Sequence, residues 1–302
     1  MAAQDLGRWA PAVPTAEAPP SASCACRSLC QFRAVSDIHQ RGSGILEVGL
    51  GVRDGGTALR HLHQVSPLRG LFPTPERDEA LTVAVVNTGG GLAGGDRLAM
   101  SIHAEAGARA TISAPAAEKI YRSLGPPSRI DCTLRVDAGA MVEWIPQETI
   151  LFDGARLHRR INVELTPGST LLAAETLVFG RTARREAFAQ GALLDSWRIR
   201  RDGLLAWADG LAFEPPAPLG SPFGFAGSEA MASLVFCADD AAALLEPLRT
   251  SGALATLPAK GLLVARWLGA APAVRRDLGA ALCLVRSTAL GLPARLPRLW
   301  TN

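Results

Sequence analysis

Leu98-Ala99-Met100-Ser101-Ile102-His103, Ile130-Asp131-Cys132-Thr133-Leu134-Arg135-Val136 and Ile161-Asn162-Val163-Glu164-Leu165 follow one local plan three times over. In each, apolar residues alternate with polar or small ones, the pattern of a strand with one buried and one solvated face. Each runs into a turn: Glu105-Ala106-Gly107-Ala108, Asp137-Ala138-Gly139-Ala140 and Thr166-Pro167-Gly168-Ser169. A second strand follows and ends at a glutamate with apolar neighbours. Those segments read Glu118-Lys119-Ile120-Tyr121, Glu148-Thr149-Ile150-Leu151-Phe152 and Glu175-Thr176-Leu177-Val178-Phe179. Repetition at this period means units that stack rather than scatter. The fold class expected is mainly β, a β-helix-like stack of layers of short strands.

The three glutamates are 30 and then 27 residues apart. Stacking should bring Glu118, Glu148 and Glu175 to related positions on neighbouring layers. Buried carboxylates are costly unless hydrated, paired or bound to a cation. The column is therefore either a solvated face or a polar passage.

Beyond the repeat, residues 193–199 and 204–213 flank Asp202-Gly203, a dipeptide suited to a tight hairpin because both positions tolerate positive φ. Pro215, Pro216, Pro218 and Pro222, with Gly220, Gly224 and Gly227, make a stiff loop. Two C-terminal helices are expected within about residues 239–302. Asp239 or Asp240 caps a short one running through Leu248. Pro272 opens a longer one whose Val274, Leu278, Leu282 and Val285 share a face.

Toward the N-terminus the pattern becomes strand-like from Gly42. A single folded domain is thus expected over residues 41–302, after a disordered Pro/Ala-rich leader of residues 1–40. That leader holds Cys24, Cys26 and Cys30, whose spacing matches no standard zinc signature. Cys132, Cys237 and Cys283 stand singly in apolar segments and read as core. The leader has no basic-then-apolar signal sequence, and no apolar run approaches the ~20 residues of a membrane span. A cytoplasmic protein with no membrane partner is expected.

The 302 residues are 48% hydrophobic and 20% charged, which excludes disorder throughout. A net charge of +3 lacks the basic excess of a nucleic-acid binder, so no nucleic-acid partner is expected. Catalytic signatures are equally thin. There is no G-x-S-x-G elbow and no H-E-x-x-H, and the only closely spaced histidine pair is His61-x-His63. Gly89, Gly91 and Gly94 do spell G-x-G-x-x-G. A dinucleotide site, however, needs a helix after those glycines, and the next segment alternates as a strand. The glycines then make either a tight connection or a loop whose bare backbone lets another chain approach.

Three segments together resemble the urease accessory protein family UreD, also called UreH. They are Gly90-Gly91-Leu92-Ala93-Gly94-Gly95-Asp96, Glu118-Lys119-Ile120-Tyr121-Arg122-Ser123, and residues 143–155 with Gln147, Asp153 and Gly154. Phe179-Gly180-Arg181 and Pro297-Arg298-Leu299-Trp300 extend the resemblance, which runs from about residue 43 to the C-terminus. One departure is that Asn87-Thr88-Gly89 stands where many members carry His-Pro-Pro, which removes an imidazole. The resemblance implies a non-enzymatic nickel-insertion factor that binds apo-urease and UreF directly and the GTPase UreG through UreF. It also implies a water-filled passage for transient Ni2+, with no tightly bound cofactor. Glu118, Glu148 and Glu175 become candidates to line that passage. Arg275, Arg276, Arg286 and Trp300 are either anchors for partners or equally solvated or core residues. Two other classes remain: an NAD-dependent oxidoreductase built on the glycines, and a nickel-storage or sensing protein using the leader cysteines.

Overall fold

The computed structural model describes residues 41–301. The leader cysteines Cys24, Cys26 and Cys30 lie outside them. The repeat is visible in the backbone itself: Gly107, Gly139 and Gly168 take φ of +75°, +68° and +76° at the same turn position. Each turn closes with an i to i+3 bond, Ala108 N–H to Glu105 O at 3.0 Å, Ala140 N–H to Asp137 O at 3.0 Å and Ser169 N–H to Thr166 O at 3.1 Å. The turns also stack on one another. Gly107 N–H donates to Ala138 O, and Gly139 N–H to Gly168 O.

A hairpin of β1 (Ser43–Arg53) and β2 (Gly56–Val65) opens the chain, followed by β3 (Leu68–Leu71) and β4 (Leu81–Asn87). The first full coil is β5 (Arg97–Ala104), β6 (Arg109–Ser113) and β7 (Glu118–Ile120). The second is β8 (Ser128–Val136), β9 (Met141–Trp144) and β10 (Thr149–Leu151). In the third, β11 (Arg156–Leu165) leads to one long strand, β12 (Thr170–Arg181), that does the work of two. After β13 (Glu186–Ala187) comes the hairpin of β14 (Ala192–Arg201) and β15 (Leu204–Phe213), turning at Asp202-Gly203 as expected. β16 (Ala230–Cys237), α1 (Leu245–Thr250), β17 (Leu254–Ala259), β18 (Leu262–Gly269) and α2 (Ala271–Ala289) complete it.

Equivalent strands pair in parallel, coil on coil. One sheet runs β15-β14-β11-β8-β5-β1-β2 and the other β17-β18-β16-β12-β9-β6-β4-β3, with β10 beside the end of β12 and β7 beside β10. Between the sheets the inward positions form ladders such as Ile102, Leu134, Val163 and Ile199. A second core lies on the outer side of the second sheet. There Val274, Leu278, Leu282 and Val285 of α2 cover Leu172, Leu234, Phe236 and Leu263. The β-solenoid-like stack with two C-terminal helices is the expected fold class.

Three details differ from expectation. The C-terminal section is not helix alone, because the hairpin β17–β18 separates the two helices and extends the second sheet. Asp240 occupies the N-cap of a 3-10 turn, Ala241–Leu244, without a side-chain capping bond, and α1 begins only at Leu245. Cys132 and Cys237 are buried, but Cys283 sits on the flank of α2 and is only half-buried. No helix among the described residues is long and apolar enough to cross a membrane.

Candidate functional site

Coil spacing decides where the glutamates point. Glu118 pairs in register with Thr149, and Thr149 with Leu177, so the steps between these coils are 31 and 28 residues. The glutamates recur at 30 and 27. Glu148 is thus one residue out of register with Glu118, and a one-residue offset in a strand reverses the face. Glu175 is two out, which restores it. Glu118 and Glu175 face the space between the sheets, while Glu148 points outward and pairs with Arg275 of α2. The expected single column of three acids is therefore a pair, with the third acid serving a different surface.

Between the sheets lies a cavity of about 170 Å³. Asn87, Gly90, Gly91, Glu118 and Lys119 surround one part of it, and Thr149, Arg159 and Glu175 another. At the first part, Asn87 Nδ2 donates to both carboxylate oxygens of Glu118, at 3.0 and 3.2 Å. Where the resemblance suggests an imidazole, this chain has an amide that orients the acid. At the second, Arg159 Nε and Nη2 donate to Asp195 Oδ1 and Oδ2 at 2.9 and 2.6 Å, and Nη2 lies 2.8 Å from Glu175 Oε2. Trp197 Nε1–H donates to Glu175 Oε2 at 3.1 Å. Arg159 and Asp195 follow from the same alternation that places Ile161 and Trp197 inward. The ladder Leu98, Ile130, Arg159, Asp195 turns from apolar to charged along the stack. The apolar alternation that marks these strands carries no signal for Arg159 and Asp195, although both stand at its inward positions.

Burial pushes the Glu118 carboxyl up from 4.5 to about 7, against the lowering effect of the Asn87 amide. Burial likewise raises Glu175 to about 7, against the opposing Arg159 guanidinium. Both folded values lie above the ordinary one, so between about pH 4.5 and 7 the folded chain holds protons that the unfolded chain has released. Stability contributed this way is present at acid pH and lost as pH rises through about 7. Glu118→Gln should therefore match the native chain near pH 4 and exceed it in stability by about 1–3 kcal/mol at pH 8. Urea denaturation at the two pH values checks this.

The remaining motif residues form two assemblies. In the first, Tyr121 Oη donates to Gly90 O at 2.9 Å, its ring meets Phe152 edge-on at 5.2 Å, and the Arg181 guanidinium covers Phe152 at 4.1 Å. A Cβ on Gly91 would sit 2.6 Å from the Tyr121 ring, and one on Gly94 2.0 Å from Ser123 Oγ. The bare glycine backbone is approached by the chain's own next coil. Asp96 anchors the loop by accepting from Gly42 N–H and Ala93 N–H, both at 2.7 Å, while Gly95 lies against Arg41. Arg122 packs over Gly154, and Asp153 accepts from the Ala189 and Gln190 amides. Gly180 lets β13 approach, and Lys119 is exposed on β7. After the glycines comes β5 and no helix, which removes the dinucleotide reading.

The second assembly latches the C-terminus. Gln147 donates to Leu299 O at 2.6 Å and accepts from Arg275, which also donates to Trp300 O at 3.0 Å. Trp300 is buried and its Nε1–H donates to Ile145 O at 2.8 Å. Arg286 is fully buried against Glu143 and Glu79. Of the readings open for them, partner anchor, solvated or core, Trp300 and Arg286 take the last and act as internal braces. Arg276 is exposed. His61 and His63 are both exposed on β2. Among the described residues no three His, Cys, Asp or Glu side chains converge as a metal-ligand set.

The family model described as UreD urease accessory protein matches residues 42–301. The chain is 50% identical over 239 residues to the urease accessory protein UreD of Granulibacter bethesdensis, covering 77% of this chain and all of that one. It is 40% identical over 287 residues to the UreD of Magnetococcus marinus, covering 91% of this chain and 99% of that one. The UreD 3 protein of a Bradyrhizobium species is 40% identical over 279 residues, 89% and 98% of the two chains.

Proposed function

The chain belongs to the UreD family of urease accessory proteins, and from that premise we propose that it is a non-catalytic nickel conduit of the cytoplasm. It docks on apo-urease and on UreF, meets the GTPase UreG through UreF, and passes Ni2+ along its interior without keeping it. One observation carries the reading: an internal cavity whose wall holds two inward carboxylates, Glu118 and Glu175, from different coils. Oxygen donors that are spread along a wall can hand on a divalent ion, whereas a closed set of ligands would retain it. Carboxyls titrating near neutrality also release a proton easily when a cation arrives. Glu148, outside the cavity, braces α2 in this reading rather than touching the ion.

Reconstituted urease activation with Ni2+, bicarbonate, GTP and the partner proteins is the test. Glu118→Gln with Glu175→Gln should slow activation about tenfold or more while leaving co-purification with UreF and apo-urease intact. Activation at the native rate by this double variant rejects the conduit. Glu148→Gln should leave the rate nearly native and lower stability instead.

A further inference from the structure

A second, smaller cavity of about 30 Å³ adjoins the first, walled by Asp195, Trp197, Trp207, Asp209 and Met231 among others. Arg159 and Glu175 line both cavities. The first has room for several waters and the second for one or two. Trp144, which is buried and lines the first cavity, directs its Nε1–H at Glu175. The Arg159 guanidinium stands in the wall between two spaces of largely apolar lining, held by Asp195 from its own sheet and by Glu175 from the other, so that these charged groups are the polar point between them.

We propose that Arg159 is a tethered cation that plugs the constriction between the two cavities, and that a divalent ion passes only by displacing it from Glu175 and Asp195. This rests on the conduit reading and adds its gate. Two carboxylates face one guanidinium. A divalent ion that takes the guanidinium's place draws the proton from Glu175, and the two carboxylates then supply the two negative charges that a divalent ion neutralises and a monovalent one does not. A monovalent ion must compete with a forked, bidentate partner for a single unit of charge, and so is excluded. With the guanidinium in place, its charge repels any cation close by. The first cavity, next to the side chain, gives it space to retract. Other charged groups near the constriction are Asp209, paired with Arg266 at the far wall of the second cavity, and the Cys132 thiol, held neutral by burial.

Arg159→Gln in the full chain removes the plug and leaves both acids. It should bind Ni2+ about tenfold or more tightly than the native chain, measured by calorimetric titration, and the gain should vanish when Glu175→Gln is added. That second substitution separates the gain from nickel held elsewhere, including at the leader cysteines. If Arg159→Gln does not fold, Arg159→Lys serves: it retains a buried charge but not the fork, and a gain of several-fold is expected. A folded variant of either kind with native Ni2+ affinity overturns the plug. The conduit stands or falls separately, on activation by the Glu118→Gln, Glu175→Gln chain. Slowed activation there with no nickel gain at Arg159 rejects the gate alone. Native activation there with a clear gain leaves a cation site that is off the delivery route and rejects the gate as well.

Discussion

Arg286→Met is expected to lower the unfolding free energy by about 3–5 kcal/mol, read as a shift of the urea midpoint with little change in slope. Arg286 on α2 has no exposed surface, and its Nη1 lies 3.1 Å from both oxygens of Glu143, itself wholly buried on β9. Its Nη2 pairs with Glu79 in the segment before β4. Methionine fills a similar volume but leaves Glu143 beside Glu79 without its own cation, Glu79 keeping only the half-exposed Arg295, and burial already raises Glu143 against the Arg286 charge. The variant should therefore lose most at pH 8 and regain part of the loss near pH 4, where the raised Glu143 carboxyl is protonated. Adding Glu143→Leu should restore part of the stability, because a missing pair costs less than half of one. A change below about 1 kcal/mol at pH 8 would mean that α2 is not held to the sheet in this way.

Gly180→Ala should be nearly as damaging, with a loss of about 3 kcal/mol. Gly180 has φ of +99°, and a Cβ there would lie 2.3 Å from Glu186 O and 2.8 Å from Ala187 Cα. Both obstacles are backbone of the paired strand β13, so no side chain can rotate aside. Relief requires β12 and β13 to separate, which also pulls Arg181 from Glu186 and from the Phe152 ring. Gly55→Ala is the natural control. Gly55 has φ of +79° but nothing within 4 Å of the added carbon, so only the conformational cost of about 1 kcal/mol applies. Thermal melts of the two variants side by side separate steric from conformational loss.

Much of the corner around Tyr121 was legible as a set of motif residues, yet its purpose was not. The glycines before Asp96 suggest a loop open to a ligand or another chain. The structure fills that space with Tyr121 and Ser123, some thirty residues later in sequence, because parallel stacking sets each corner on the one before it. Arg286 was nearer to hand. It lies four residues after Leu282 and eight after Leu278, on the stripe already read as buried, and only its charge argued for the surface.

Period-two alternation and three recurring turns were enough to determine the stacked β architecture, since both are local properties of the chain that every coil states again. The hairpin at Asp202-Gly203 and the buried face of α2 were equally local. What the tertiary structure alone decided was the step from coil to coil, 31 and 28 residues against glutamate spacings of 30 and 27. That step depends on how connecting loops are absorbed between strands, which no short window of sequence contains. One residue of difference turns Glu148 out to Arg275 and leaves Glu118 and Glu175 facing a cavity, with Arg159 from the opposite sheet set between that cavity and the smaller one beside it.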